Sequence, residues 1–294
     1  MKSKVVALAS AVLMTAGLSF AQAEKSANQL IQSAGKRSTQ AIQQQEIHKV
    51  IQEALQAYQE TQQVLILLAQ GKVQEAKKLM EDIKKKLQHL KTLHKEKLAR
   101  LPISVIITEI DGVDDIKLAK EILQKAKKAC EQNDIPTARD LLELLRNEID
   151  IQTHYLPLDV YTKAVELAYQ LLEKGDVKSA LAALNVALGS IEIEEVIIPK
   201  PIAEALILVQ DAKKIFKVDP QKAEKLLEEA KRKIKLAQVL GYIRTEKEIE
   251  PLIKEIEALE KQLKKETATK SLFESLEKHI QKMQTKSTHT KERQ

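Results

Sequence analysis

The chain has 294 residues, 44% of them apolar and 31% charged, with a formal net charge of +6. Seven glycines, seven prolines and 3% aromatics leave little but helix, with a core of Leu, Ile, Val and Ala. A single cysteine excludes an internal disulfide, and lysines interleaved with glutamates rather than with aromatics exclude a nucleic-acid-binding stripe.

The N-terminus reads as an export leader. Met1-Lys-Ser-Lys is basic, Val5 to Phe20 is apolar and uncharged, and Ala21-Gln22-Ala23 offers a cleavage site before Glu24. The apolar run is short for a membrane span, and no cysteine follows it to take a lipid. Loss of Lys2 and Lys4 with residues 1–23 lowers the net charge to +4. No later run of ~18 apolar residues occurs, so no stable membrane insertion is expected of the mature chain.

Residues 24–45 are polar and glutamine-rich and are expected as a loose lead-in. A helical domain is expected over 46–283, and a polar, disordered tail over 284–294. Within the domain the apolar period is 3.6. Ile47, Val50, Ile51, Ala54, Leu55 and Tyr58 form one stripe. Gly71 ends it, and Val73, Ala76, Leu79, Met80, Ile83 and Leu87 form the next.

That helix–turn–helix layout returns three more times, at Asn133-Asp-Ile-Pro, Gly175-Asp-Val-Lys and Val218-Asp-Pro-Gln. Gly or Asn takes the left-handed conformation that ends a helix, and Asp134, Asp176 and Asp219 cap the next one. Small Ala76, Ala138, Ala180 and Ala223 let the paired helices approach. Cys130 continues the series Ala119, Ile122, Leu123, Ala126 and is expected to be a buried, inert thiol; an intermolecular bridge is the alternative.

Three β-branched connectors separate the hairpins: Ile103 to Ile110, Ile149 to Pro157, and Ile191 to Pro201. They either pair as a small sheet or run extended across the helices, and the second reading is favoured. The expected fold class is therefore all-α: stacked antiparallel hairpins with weak internal repetition and short extended connectors. A late helix from about Glu246 to Lys265 presents Ile249, Leu252, Ile253, Ile256, Leu259 and Leu263. Few helices follow to cover that stripe, which predicts self-association as a symmetric homo-oligomer.

Chemistry is hard to find. The glycines lie too far apart for a phosphate-binding loop, and no serine sits in a nucleophile elbow. His89 and His94 fall on different helix faces, unlike a metal pair. Asp111-Gly-Val-Asp-Asp lacks the remaining ligands of a calcium loop and reads as a turn with an N-cap. No catalytic, cofactor or metal residues are predicted. One constellation stands out as a candidate cleft for a ligand or partner: Asp150, His154, Tyr155 and Tyr161, with Tyr242. Tyrosine joins an apolar ring to a polar tip, which suits a groove. The same residues can instead brace the connector, or, as a third reading, Asp150 and His154 can do acid–base work.

The segments Glu148-Ile-Asp-Ile-Gln-Thr-His-Tyr-Leu-Pro-Leu-Asp-Val-Tyr, Val196-Ile-Ile-Pro-Lys-Pro and Leu236-Ala-Gln-Val-Leu-Gly-Tyr resemble the YfdX family of small exported proteins of Gram-negative bacteria. The resemblance runs from about Glu46 to Met283. It implies an all-helical periplasmic fold, a tendency to self-associate and an association with stress survival; it brings no catalytic residues. The expectation is thus a non-enzymatic periplasmic interaction protein, with an unidentified protein or small molecule as partner. A small-molecule binder using the tyrosine-bearing connector is the alternative, and a hydrolytic enzyme a distant third.

Overall fold

The computed structural model describes residues 4–6, 26–94 and 99–293, with 4–6, 292 and 293 described by backbone alone. Of the expected leader only Lys4–Val6 is described, as strand β1. The rest of it, including the Ala21-Gln22-Ala23 site, lies outside the described residues. Eleven helices follow among the described residues. They begin with α1 (Ala27–Ile47), α2 (Gln52–Ala69) and α3 (Val73–Leu93), and continue after β2 (Arg100–Ile110) with α4 (Ile116–Glu131) and α5 (Ile135–Glu143). Strand β3 (Glu148–Pro157) leads to α6 (Leu158–Glu173) and α7 (Val177–Gly189). Strand β4 (Glu192–Pro199) leads to α8 (Lys200–Ile215), α9 (Pro220–Val239), α10 (Glu246–Lys264) and α11 (Lys270–Ser287), and β5 (His289–Arg293) follows.

The four hairpin turns form as their residues dictate. Gly71, Asn133 and Gly175 have φ of 76°, 58° and 81°, the left-handed region where a β-carbon is costly. Asp134, Asp176 and Asp219 each accept a backbone N–H three residues on, at 3.2, 3.0 and 2.9 Å. Ala76, Ala138, Ala180 and Ala223 are all buried at the hairpin contacts. Ala180 has no exposed surface at all, so Ala180→Phe is expected to destabilise by ~1–3 kcal/mol through overpacking, measured by urea unfolding.

The connectors correct the all-α expectation: they pair. Five strands form one sheet in the order β1-β2-β3-β4-β5, with β1 antiparallel to β2 so that Lys4 faces Glu109 and Val6 faces Ile107. β-branched residues at period two are suited to a pleated, half-buried surface. In β3 the alternate Ile149, Ile151 and Thr153 are buried, with His154 and Tyr155 half-buried beyond them. The lead-in also differs from expectation. It is helix α1, which buries Leu30, Ala34, Gly35 and Ser38 in a narrow stripe. The tail differs too, since α11 reaches Ser287 and β5 follows.

By contact the chain divides into two units. Unit 1 comprises residues 1–43, 107–150 and 196–289, and unit 2 comprises 44–106, 151–195 and 290–294. The hairpins α2–α3 and α6–α7 fall in unit 2, and α4–α5 and α8–α9 in unit 1. In unit 2, α2, α3, α6 and α7 enclose a core of Ala57, Val64, Met80, Ile83, Tyr161, Val165, Ala180 and Leu184. In unit 1, α8 and α9 pack against α10 and α11 around Leu208, Leu227, Ile234, Phe216 and Phe273. The stripe of α10 is covered here: Ile249, Leu252, Ile256, Leu259 and Leu263 are buried in that core. It therefore supplies no motive for self-association. A smaller cluster under α4 holds Ala119, Ile122, Leu145 and Leu236. The buried positions of α4 are Ala119, Ile122, Ala126 and Ala129, so Cys130 lies one step past that face and is exposed, correcting the expected buried thiol.

Candidate functional site

The candidate residues separate between the units. Asp150 and Tyr242 belong to unit 1, and His154, Tyr155 and Tyr161 to unit 2. In unit 1, the turn after α9 delivers Tyr242 to the start of β3. Its hydroxyl accepts the backbone N–H of Asn147 at 2.9 Å and donates to Glu148 Oε2 at 3.2 Å. The Asn147 carbonyl accepts the Lys200 N–H at 3.0 Å, so the first turn of α8 is tied to the same residue. Burial and the Glu148 carboxylate both push the Tyr242 phenol above its ordinary range.

Beside them, Arg146 gathers three carboxylates. It donates to Glu143 at 2.8 Å, to Glu148, and to Asp150 at 3.1 Å. Burial works against its charge, yet Glu143 and Glu148 outweigh that and hold the guanidinium firmly protonated. Asp150 is thus a partner of Arg146.

In unit 2, Tyr155 donates to Glu194 Oε1 at 3.2 Å, and Arg100 lies over its ring at 4.4 Å while bonding Glu194 at 2.5 Å. Burial, then Glu194, raise the Tyr155 pKa. His154 is half-buried, and burial lowers its pKa, so the ring is neutral at pH 7. Tyr161 is a core residue with no exposed surface; its hydroxyl faces Thr61, and burial raises its pKa. Its place in the apolar series Tyr161, Ala164, Val165, Ala168, Leu172 carried that signal.

A second cluster in unit 1 was not legible as a site. The turn 111–115, expected as a turn with an N-cap, is one: Asp115 Oδ1 accepts the Leu118 N–H at 2.7 Å. Its other carboxylates are each met by a cation. Lys200 pairs with Glu109 at 2.6 Å and with Asp111. Lys233 pairs with Asp114 at 2.6 Å and Glu204 at 2.5 Å, and Arg232 reaches Asp114 Oδ2 at 3.0 Å. Lys200, Lys233 and Glu204 are all buried. Burial raises the Glu204 pKa against the opposing pull of Lys233. Gly35 of α1 lies on this cluster; a β-carbon there would stand 2.6 Å from Glu204 Oε1 and 2.9 Å from Lys200 Cε. Nothing in the local sequence distinguishes these lysines from solvated ones, except that Lys200 stands between two prolines.

Among the described residues no group of three or more His, Cys, Asp or Glu has the arrangement of a metal site, and no helix is long and apolar enough to cross a membrane.

Residues 57–197 match the YfdX protein family. That span takes in the β3 motif and the first two residues of the Val196 motif; the Leu236–Tyr242 motif lies beyond it. The solved structure of Salmonella Typhi YfdX is similar at 20% identity over 50% of this chain and 90% of that one, with a TM-score of 0.35. No curated protein matches significantly. The matched family is not a known enzyme family. Over residues 57–197, just under half of its length, this chain is therefore similar to the YfdX family.

Proposed function

We propose that the protein is exported to the periplasm and works there by binding and self-association rather than by catalysis, in a role tied to stress survival. One observation carries this reading. The polar groups that looked available for chemistry are occupied internally: Tyr242 by Asn147 and Glu148, Arg146 by three carboxylates, Tyr155 by Glu194. Groups bonded in this way brace a fold, and the work is left to surfaces. Export by the leader would remove residues 1–23, and strand β1 with them. The test has two parts. The native protein's mass is expected to correspond to a chain starting at Glu24, and sedimentation of that chain to show an oligomer. Retained Met1 overturns export, and a monomer at all micromolar concentrations overturns self-association.

A groove of about 410 Å³ between α9 and α10, floored by Ile249 and Ile253, supports a second reading, small-molecule binding, away from the tyrosine-bearing connector. Saturable thermal stabilisation by one compound of a metabolite panel would favour it.

A further inference from the structure

Helices α9 and α10 of unit 1 run antiparallel and are joined by a ladder of ion pairs. Glu224 early in α9 meets Lys264 at the end of α10 at 2.7 Å. Lys231, two turns on, meets Glu260 at 3.1 Å and Glu257 at 3.8 Å. By the same register Lys235, one turn further, faces Ile253 rather than an acid. The next acid along α10, Glu250, is taken by Lys254 of its own helix at 2.6 Å. The ladder therefore stops where the groove of about 410 Å³ opens, and Lys235 lines it without an ion pair among the described residues.

The rest of the lining sorts into met and unmet groups. Ile249 is buried and Ile253 half-buried, which gives the groove its apolar floor. Glu250 and Lys254 neutralise each other, and Glu257 is met by Lys231. Glu246 and Lys247 also lack an ion pair among the described residues, but they are not equivalent. Both lie in the first turn of α10, where unbonded N–H groups carry partial positive charge. That charge favours the Glu246 carboxylate and opposes the Lys247 ammonium. Two cations, Lys235 and Lys247, are thus left over beside an apolar floor. The groove lies wholly outside residues 57–197, the span similar to the YfdX family.

We propose that this groove takes a small amphipathic anion, an apolar chain or ring carrying one carboxylate or comparable acid group, an inference that rests on the small-molecule reading above. The apolar part lies on Ile249 and Ile253, and the acid group meets Lys235 and completes the missing rung of the ladder. A cationic ligand would face Lys235 and Lys247 and find Glu250 and Glu257 already paired. An anion without an apolar part gains little, since an exposed lysine pairs weakly in water. A neutral apolar molecule leaves both lysines unanswered. Covering the isoleucines supplies most of the affinity, and the lysines set the sign of the charge that is accepted.

Calorimetric titration of the protein tests this with three probes. Octanoate has the tail and the acid group, octylammonium the same tail and the opposite charge, and acetate the charge without the tail. Octanoate is expected to bind saturably at one site, and the other two about tenfold or more weakly. Lys235→Gln is expected to weaken octanoate by about two- to fivefold, and Lys235→Arg to retain it. Ile253→Asn is expected to weaken it by about tenfold or more, while Lys261→Gln, on an exposed part of α10 outside the groove, leaves it unchanged. Octanoate binding no tighter than octylammonium, or indifferent to both Lys235→Gln and Ile253→Asn, overturns this ligand class; a panel compound that still stabilises the protein then leaves the small-molecule reading standing. If neither octanoate nor any panel compound binds, both fail.

Discussion

Gly112→Ala is expected to destabilise unit 1 by roughly 3–5 kcal/mol, at the upper end of what a single substitution does. The added methyl would stand 2.1 Å from the Arg146 carbonyl oxygen, 2.7 Å from its carbon and 3.0 Å from the Leu144 oxygen. All three are backbone atoms, so no flexible side-chain end can swing aside. The facing segment is itself fixed. Val113 N–H donates to the Leu144 carbonyl at 3.1 Å, and the next residue, Asn147, is held by Tyr242 and by the Lys200 N–H. Either the turn moves off the segment and breaks its ion pairs, or the segment moves and breaks those of Arg146. Urea unfolding of the variant beside Gly189→Ala makes the comparison, because Gly189 has open space around it and its replacement should change stability little. A loss below about 1 kcal/mol at Gly112 would mean the turn and the segment are not in the close contact described.

Lys233→Met is expected to cost about 3–5 kcal/mol at neutral pH, because it keeps the bulk of the side chain and removes the charge that two carboxylates share. Asp114 retains Arg232, but Glu204 is buried and keeps only the more distant charge of Lys200. The sign of the pH dependence follows. Burial already holds the Glu204 pKa above its ordinary value of 4.5, and removing Lys233 raises it further. A carboxyl with a raised folded pKa favours the folded state while protonated, and that advantage is lost as pH rises through the folded value. The variant should therefore approach wild-type stability below pH 4.5 and fall away from it on the alkaline side. Adding Glu204→Gln should recover most of the loss at pH 7. Stability curves for the two variants with parallel pH profiles would show that Glu204 is not the group left without its partner.

The parts of this fold that could be read in the sequence are those decided locally. A left-handed Gly or Asn, an Asp cap and a small Ala all fall within ten residues of one another, and each of the four hairpins uses at least two of them. The sheet was not readable, because its strands are brought together by hairpins lying between them, and alternation in Ile149, Ile151 and Thr153 shows a buried face without naming its neighbour. Helix α1 was missed for another reason. Its inward stripe of Leu30, Ala34, Gly35 and Ser38 is short and partly polar because it lies on the charges of Lys200, Glu204 and Asp211 as well as on apolar core. Apolar periodicity cannot detect a helix whose contact surface is ionic. Of the candidate site, Tyr242 and Asp150 are drawn to adjoining parts of one network, whereas Tyr161 serves the core. The three motifs that carry the family resemblance meet at Asn147 and Glu148: β3 begins there, α8 hangs its first N–H there, and Tyr242 closes it.

The alternation of hairpins between the units governs how the chain can be cut and how it can mature. Neither unit is one continuous stretch of sequence, so no single truncation yields either of them, and a protease that nicks one loop releases neither. During synthesis the α2–α3 pair emerges with its apolar face open, and its bundle mates α6–α7 follow only after β2, α4, α5 and β3 have been made. Contacts this far apart in sequence slow folding, because a long loop must close before any of them forms. A chain wired in this way has an extended interval in which its apolar helices lack their covers.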